Sequence, residues 1–96
     1  MNSKQRAYLR ALSVDADTIL RVGKDGVSPE FVKSAEEALE ARELIKIGVL
    51  ENAPIEAADA AQTVAERTRS KVVSVIGRKF VLYKRAKLKP TIELPK

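Results

Sequence analysis

Apolar residues recur along the chain with two different periods, which together predict three helices and four strands. Spacings of three and four, as in Phe31, Ala35 and Leu39, indicate helices, and β-branched runs such as Ile45-Lys46-Ile47 indicate strands. The predicted order is a helix over 4–13, a strand over 18–22, a helix over 29–42, a strand over 44–50, a helix over 52–67, and strands over 71–76 and 80–84. Ser3 is expected to cap the first helix, and Ser28-Pro29 to start the second.

The order of these elements predicts the fold. Strand–helix–strand units favour right-handed crossovers and parallel pairing, whereas the short connection at Gly77-Arg78-Lys79 favours an antiparallel hairpin. We therefore predict a single-domain α/β sandwich of order α-β-α-β-α-β-β around a four-stranded mixed sheet, over residues 1–85. Residues 86–96 are expected to form a basic, proline-containing tail that either hangs loose or lies over the surface.

Composition excludes several kinds of site. The sequence has no cysteine and no histidine, which removes disulfides, thiolate zinc sites and the commonest general base. The phosphate loop of nucleotide hydrolases is absent as well. Carboxylates cluster at Glu36, Glu37, Glu40 and Glu43. Positions 36, 40 and 43 follow the outer face of the second helix, so we expect a solvated stripe rather than an acid–base pair. We therefore predict a protein that is not an enzyme and that has no cofactor or metal.

The apolar runs also bear on location. They are far shorter than the roughly 20 residues that span a bilayer, and the first four residues lack the apolar core of a signal peptide. We therefore expect a cytoplasmic protein without membrane contact.

Charge is distributed unevenly. Residues 1–29 carry a net charge of +2, residues 30–66 of −6 and residues 67–96 of +9, which together give the total of +5. A basic end beside an acidic middle indicates a surface for polyanions. A solvated tail beside a charged helix would give the same pattern, so charge alone leaves both interpretations open.

The strongest local motif is the GxxG segment Gly23-Lys24-Asp25-Gly26, between the first strand and the second helix. Two glycines let a backbone approach closely, a helix N-terminus favours anions, and Lys24 adds a positive charge. One interpretation is that a phosphate backbone binds there, as at the GxxG loop of KH domains. The alternative is a tight turn that needs two glycines, and the Asp25 carboxylate favours that alternative.

The second candidate is the cationic end of the last hairpin. Six cations fall within twelve residues and are expected to contact phosphates: Arg78, Lys79, Lys84, Arg85, Lys87 and Lys89. An edge strand and tail kept soluble by lysine would look the same. Arg6 and Arg10, one helical turn apart, either extend this surface or form a solvated face. With only four aromatic residues, contacts to phosphate and folded RNA are favoured over base stacking.

Four segments resemble the YhbY family, the stand-alone bacterial form of the CRM (chloroplast RNA splicing and ribosome maturation) domain. They occur in the order of the family and cover roughly residues 2–85: KQRAYLRAL from Lys4, VGKDGVS from Val22, ELIKI from Glu43 and IGRKFVLYKR from Ile76.

The resemblance implies a fold like the C-terminal domain of the third bacterial translation initiation factor. It also implies RNA binding and association with precursors of the large ribosomal subunit. The GxxG loop of the family maps onto Gly23 to Gly26, and its basic surface onto Lys4, Arg6, Arg10, Lys46, Arg78 and Arg85. The sequence departs from the family at Asp25, where Asn is more usual, at Arg42, where His is, and at Arg69-Ser70, which replaces a glycine.

We therefore predict a monomeric, RNA-binding protein whose partner is structured RNA, most simply large-subunit rRNA or pre-ribosomal particles. Its predicted RNA-binding residues are Lys4, Arg6, Arg10, Gly23, Lys24, Asp25, Gly26, Lys46, Arg78, Lys79, Lys84 and Arg85. The alternatives are a protein-interaction module, in which the acidic residues 30–66 dock a basic partner, and a binder of another structured RNA.

Overall fold

The computed structural model describes residues 1–96 and contains the seven predicted elements in the predicted order. They are α1 (Ser3–Ser13), β1 (Thr18–Val22), α2 (Pro29–Arg42), β2 (Leu44–Val49), α3 (Ala57–Thr68), β3 (Lys71–Ile76) and β4 (Lys79–Tyr83). None of the helices combines the length and the apolar character needed to cross a membrane.

Two helix starts differ from the prediction. The cap of α1 is Asn2 rather than Ser3, because Asn2 and Gln5 form a capping box in which each side chain bonds the backbone of the other. Helix α3 begins at Ala57, several residues after Asn52. The intervening loop packs Ala53 and Ile55 against the core, so it closes the end of the sheet instead of adding a helical turn.

The four strands form one mixed sheet in the order β1-β2-β4-β3. Strands β1 and β2 are parallel and are joined through α2, while β4 pairs antiparallel with both β2 and β3. The predicted α/β sandwich with a mixed sheet is therefore confirmed, and the predicted hairpin is the β3–β4 pair.

The sheet has a different core on each face. Helices α2 and α3 cover one face, where Ile45, Ile47, Phe80 and Leu82 belong to a cluster of 13 buried residues. The fully buried Ala60 of α3 has a small side chain that lets this helix approach the sheet closely. Helix α1 covers part of the other face over a smaller cluster: Leu9, Val73, Val81 and Tyr83. Leu9 is the apolar side chain of α1 that is fully buried, while Tyr8 and Leu12 are exposed.

The tail lies over the surface, held by a glutamate that we predicted to be solvated. Glu43 is only 1 % exposed. It follows the last residue of α2 at a φ of 66°, which directs its side chain away from the solvated face of the helix. Oε2 accepts from the Ala86 N–H at 2.9 Å, and Oε1 accepts from the Thr91 N–H at 2.7 Å, the Thr91 hydroxyl at 3.0 Å and the Ile92 N–H at 2.9 Å. The prediction for Glu43 was therefore wrong, because the partners of its carboxylate lie more than 40 positions along the chain.

Burial raises the pKa of the Glu43 carboxyl, but the four hydrogen bonds outweigh this effect and hold the pKa at about 2. Glu40, one turn earlier on α2, accepts from the backbone N–H groups of Lys87 and Leu88, which lower its pKa. Glu40 in the last turn of α2 and Glu43 just after it thus anchor the tail, and Ile92 packs against the smaller core.

Candidate nucleic-acid interface

The GxxG segment forms a tight turn at the carboxyl end of β1. The Gly26 N–H donates to the Gly23 carbonyl at 3.0 Å, and Gly26 has a φ of 65°. A Cβ at Gly26 would lie 3.3 Å from Cγ of Pro54, so both backbone conformation and packing favour glycine there. Lys24 and Asp25 project into solvent at the tip of the turn. The turn geometry therefore accounts for Gly26 without a ligand.

The start of α2 offers few free N–H groups to a phosphate. Pro29 has no N–H, and the Phe31 N–H donates to Oγ of Ser28 at 3.1 Å. Glu30 adds a negative charge in the first turn. A phosphate at the GxxG segment would therefore be held mainly by Lys24 and the loop backbone rather than by the helix end.

The turn of the last hairpin lies at the same end of the sheet as the GxxG segment. Gly48 pairs with Arg21 of β1 on one side and with Lys79 of β4 on the other, and the Val49 N–H donates to the Arg78 carbonyl at 2.7 Å. The exposed Arg78 guanidinium also lies 3.6 Å from the Glu51 carboxylate, a solvated pair that leaves it accessible. The structure thus brings together the GxxG segment, Arg78 and Lys79.

Three predicted cations meet on the sheet face that α1 covers only in part. Arg10 comes from α1, Lys46 from β2 and Lys79 from β4. All three line one cavity of about 270 Å³. Its complete lining is Arg10, Ser13, Val14, Lys46, Ser74, Ile76, Lys79 and Val81, with no acidic residue among them. We refer to it as the basic cavity.

Arg21 is a further cation on this face that the sequence reasoning missed. It pairs with Gly48, and a Cβ at Gly48 would lie only 3.7 Å from Cγ of Arg21, so the Arg21 side chain lies over β2 beside Lys79. The alternation of side chains along β1 could have identified it. Arg21 lies between Leu20 and Val22, which pack in the core on the other face of the sheet, so the Arg21 side chain must lie on this face.

The predicted cationic ridge of the hairpin is divided by the fold. Lys84 lies about five residues from Lys79 along β4, which corresponds to roughly 17 Å at the rise of a strand. Its Nζ donates to the Thr68 carbonyl at 3.0 Å, so this lysine is engaged in the fold. Arg85 lines a separate hollow with Gln5 and residues of the tail.

The two predicted cations in the first half of α1 lie away from the basic cavity. Arg6 lines a hollow with Arg69 and Lys71, beside the end of α3, and Lys4 is exposed in the first turn. These two cations are therefore not part of the basic cavity. No group of three or more acidic side chains is close enough to hold a metal ion.

Comparisons with known proteins give one family and two similar proteins. Residues 1–84 match the CRS1 / YhbY (CRM) domain. The chain is 42% identical over 95 residues to "Probable RNA-binding protein YqeI" of Bacillus subtilis (strain 168), covering 99% of each chain. Its fold is similar to the solution structure of "the hypothetical protein SAV1595 from Staphylococcus aureus, a putative RNA binding protein", with a TM-score of 0.82, 41% identity and 99% of each chain covered.

Proposed function

This chain belongs to the CRS1 / YhbY (CRM) domain family, and from that premise we propose that it is a cytoplasmic, monomeric RNA-binding protein without enzymatic activity. We further propose that its partner is the rRNA of large-subunit precursors during ribosome assembly. RNA binding is supported by the description of both relatives as RNA-binding proteins, and the ribosomal role by the resemblance of the four sequence segments to the YhbY family.

The observation that carries the proposal is the convergence of Arg10, Lys46 and Lys79 on one cavity without a carboxylate. These cations lie on three separate elements, so only the tertiary fold brings them together. Like charges repel, and a cluster of them without acidic partners is stable when a polyanion neutralises it. Phosphates of RNA supply that charge, and each neutralised phosphate releases a condensed counterion.

The arrangement gives the RNA a path across the end of the sheet. The backbone of one strand would contact the GxxG segment through Lys24, pass Arg78 at the hairpin turn and reach Lys79 at the mouth of the basic cavity. The sheet fixes the spacing of these groups, so their side chains bind without a large rearrangement of the backbone. Of the four aromatic side chains only Tyr8 is exposed, which favours phosphate contacts to folded RNA as the main interaction.

Sedimentation of a cell lysate tests the ribosomal part of the proposal. The protein is expected to co-migrate with large-subunit precursors in a sucrose gradient and to lose this position after ribonuclease treatment. A protein that stays at the top of the gradient at low salt contradicts the ribosomal role, while leaving other structured RNAs as partners.

A charge reversal tests the interface itself. Lys79→Glu is expected to weaken RNA binding. Each phosphate contact contributes about −0.7 to −0.9 to the slope of log affinity against log salt concentration, so losing one contact makes the slope less steep by about that amount. Lys33→Glu is the matched control, because Lys33 is an exposed lysine of α2, on the opposite side of the sheet. Equal affinity and slope for the two variants would remove Lys79 from the interface.

A groove at the same end of the sheet favours the protein-interaction alternative. It has a volume of about 610 Å³ and includes the exposed Leu50 and Val75 beside two carboxylates, Glu51 and Glu56, and one cation, Arg78. This lining suits a partner that carries both apolar and basic side chains. A complex formed there would survive nuclease treatment, whereas an RNA-mediated one would not.

A further inference from the structure

Two aliphatic side chains at the basic cavity are exposed far beyond what the fold requires. Val14, at the end of α1, is 73% exposed, and Ile76, the last residue of β3, is 75% exposed. Both line the basic cavity, where Val81 adds a buried apolar wall. Clustered apolar side chains in contact with water indicate an interaction site.

A β-bulge places Ile76 on this face. Ser74 pairs with Val81, whereas Val72 pairs with Leu82, so β3 uses one extra residue opposite β4. The bulge shifts the alternation of β3 by one position, which turns Ser74 and Ile76 toward the basic cavity. A regular β3 would turn them to the opposite face instead, and the basic cavity would lose this apolar wall.

We propose that the basic cavity binds one unpaired nucleotide of the RNA, with the base against Val14, Ile76 and Val81. Arg10, Lys46 and Lys79 contact the phosphates on either side of that nucleotide. This inference rests on the proposed RNA-binding function and names the feature of the RNA that the protein recognises.

The chemistry of the lining favours this ligand. Cations alone would suit any phosphate, but the apolar walls need a ligand that also has an uncharged, flat surface, which a nucleobase provides. A base within a helix is stacked between its neighbours and cannot present that surface, so the nucleotide must be bulged or looped out. The volume of about 270 Å³ is near the lower end of ligand-binding sites, which suits a ligand of the size of one nucleobase.

The test compares two RNA hairpins that differ by one nucleotide, a 2-aminopurine bulge that is present in one and absent from the other. The protein is expected to bind the bulged hairpin roughly tenfold more tightly, the order of gain from burying the uncharged face of one base against aliphatic side chains. Binding is also expected to change the fluorescence of the 2-aminopurine.

Two variants assign that preference to the basic cavity. Ile76→Ser and Val14→Ser are each expected to reduce the preference for the bulged hairpin and to leave affinity for the paired hairpin unchanged. Leu88→Ser is the control, since Leu88 is 85% exposed, lies in the tail and is not part of the cavity lining. Thermal unfolding of each variant checks that these exposed substitutions leave the fold intact.

The outcomes separate this inference from the proposed function. Equal affinity for the two hairpins, or a preference that both serine variants retain, overturns the nucleotide site and leaves RNA binding in place. Failure to bind either hairpin at low salt overturns RNA binding and the nucleotide site together.

Discussion

Replacing Glu43 by glutamine tests whether one buried carboxylate anchors the tail. The two oxygens of Glu43 accept four hydrogen bonds from Ala86, Thr91 and Ile92. A glutamine has one accepting oxygen, so its NH₂ group would face at least one N–H donor. If the amide oxygen keeps the three bonds from Thr91 and Ile92, the buried Ala86 N–H loses its acceptor.

The size of the effect follows from the pKa of Glu43. The carboxyl titrates at about 2 in the folded protein instead of the usual 4.5, because four hydrogen bonds outweigh the opposing effect of burial. Each unit by which folding lowers the pKa corresponds to about 1.4 kcal/mol, so the ionised form of Glu43 contributes about 3 kcal/mol to the free energy of unfolding. Glutamine retains part of the network, so we expect a loss of about 2 kcal/mol, or roughly 8–16 °C in Tm for a domain of this size.

The pH dependence identifies the cause of that loss. The folded pKa is below the unfolded pKa, so the contribution of Glu43 is fully present above about pH 4.5 and is lost as the pH falls through about 2. The difference between the wild type and Glu43→Gln in urea unfolding, followed by circular dichroism, is therefore expected to be constant from about pH 6 to 8 and to shrink toward about pH 2. Glu37→Gln, an exposed glutamate of the same helix, is expected to change stability little at either pH. A difference for Glu43→Gln that is absent at neutral pH, or equally large near pH 2, would refute the anchoring role of the charge.

The remaining predictions concern single residues of the candidate interface. Lys24→Glu is expected to weaken RNA binding in a filter or fluorescence assay without changing the free energy of unfolding, since Lys24 is exposed at the tip of its turn; an unchanged affinity would exclude the loop from the interface. Gly26→Ala is expected to lower stability by about 1–3 kcal/mol, because it forces a side chain to a φ of 65° beside Pro54, and denaturant unfolding that matches the wild type would contradict this. Lys84→Ala is expected to lower stability by about 1 kcal/mol through loss of the bond to the Thr68 carbonyl, and a variant that loses RNA affinity at full stability would return Lys84 to the interface.

The secondary structure could be predicted because its signals are local. The β-branched run of β1, the Ser28-Pro29 start of α2 and the two-residue connection between β3 and β4 each depend on neighbouring residues. The starts of α1 and α3 were less accurate, because Asn2 competes with Ser3 as a cap and because the loop before α3 is held by packing against the core. Local preference does not include such tertiary contacts.

The candidate site could be predicted only in its residue types. Arg10, Lys46 and Lys79 were identified as basic positions from the sequence, but their convergence depends on the strand order and on where α1 crosses the sheet. Lys84 was grouped with Lys79 because they are near in sequence, although a strand holds them far apart and Lys84 bonds to the end of α3.

The sequence by itself determined the order of the elements, the mixed sheet and the absence of thiol and imidazole chemistry. Periodicity and turn residues depend only on neighbouring positions, and composition does not depend on position at all. Only the tertiary structure decided the role of Glu43, whose four donors lie in the tail, and the direction of Ile76, which a bulge in β3 reverses. Both depend on contacts between distant segments, and such contacts form only when burial of the two cores brings those segments together.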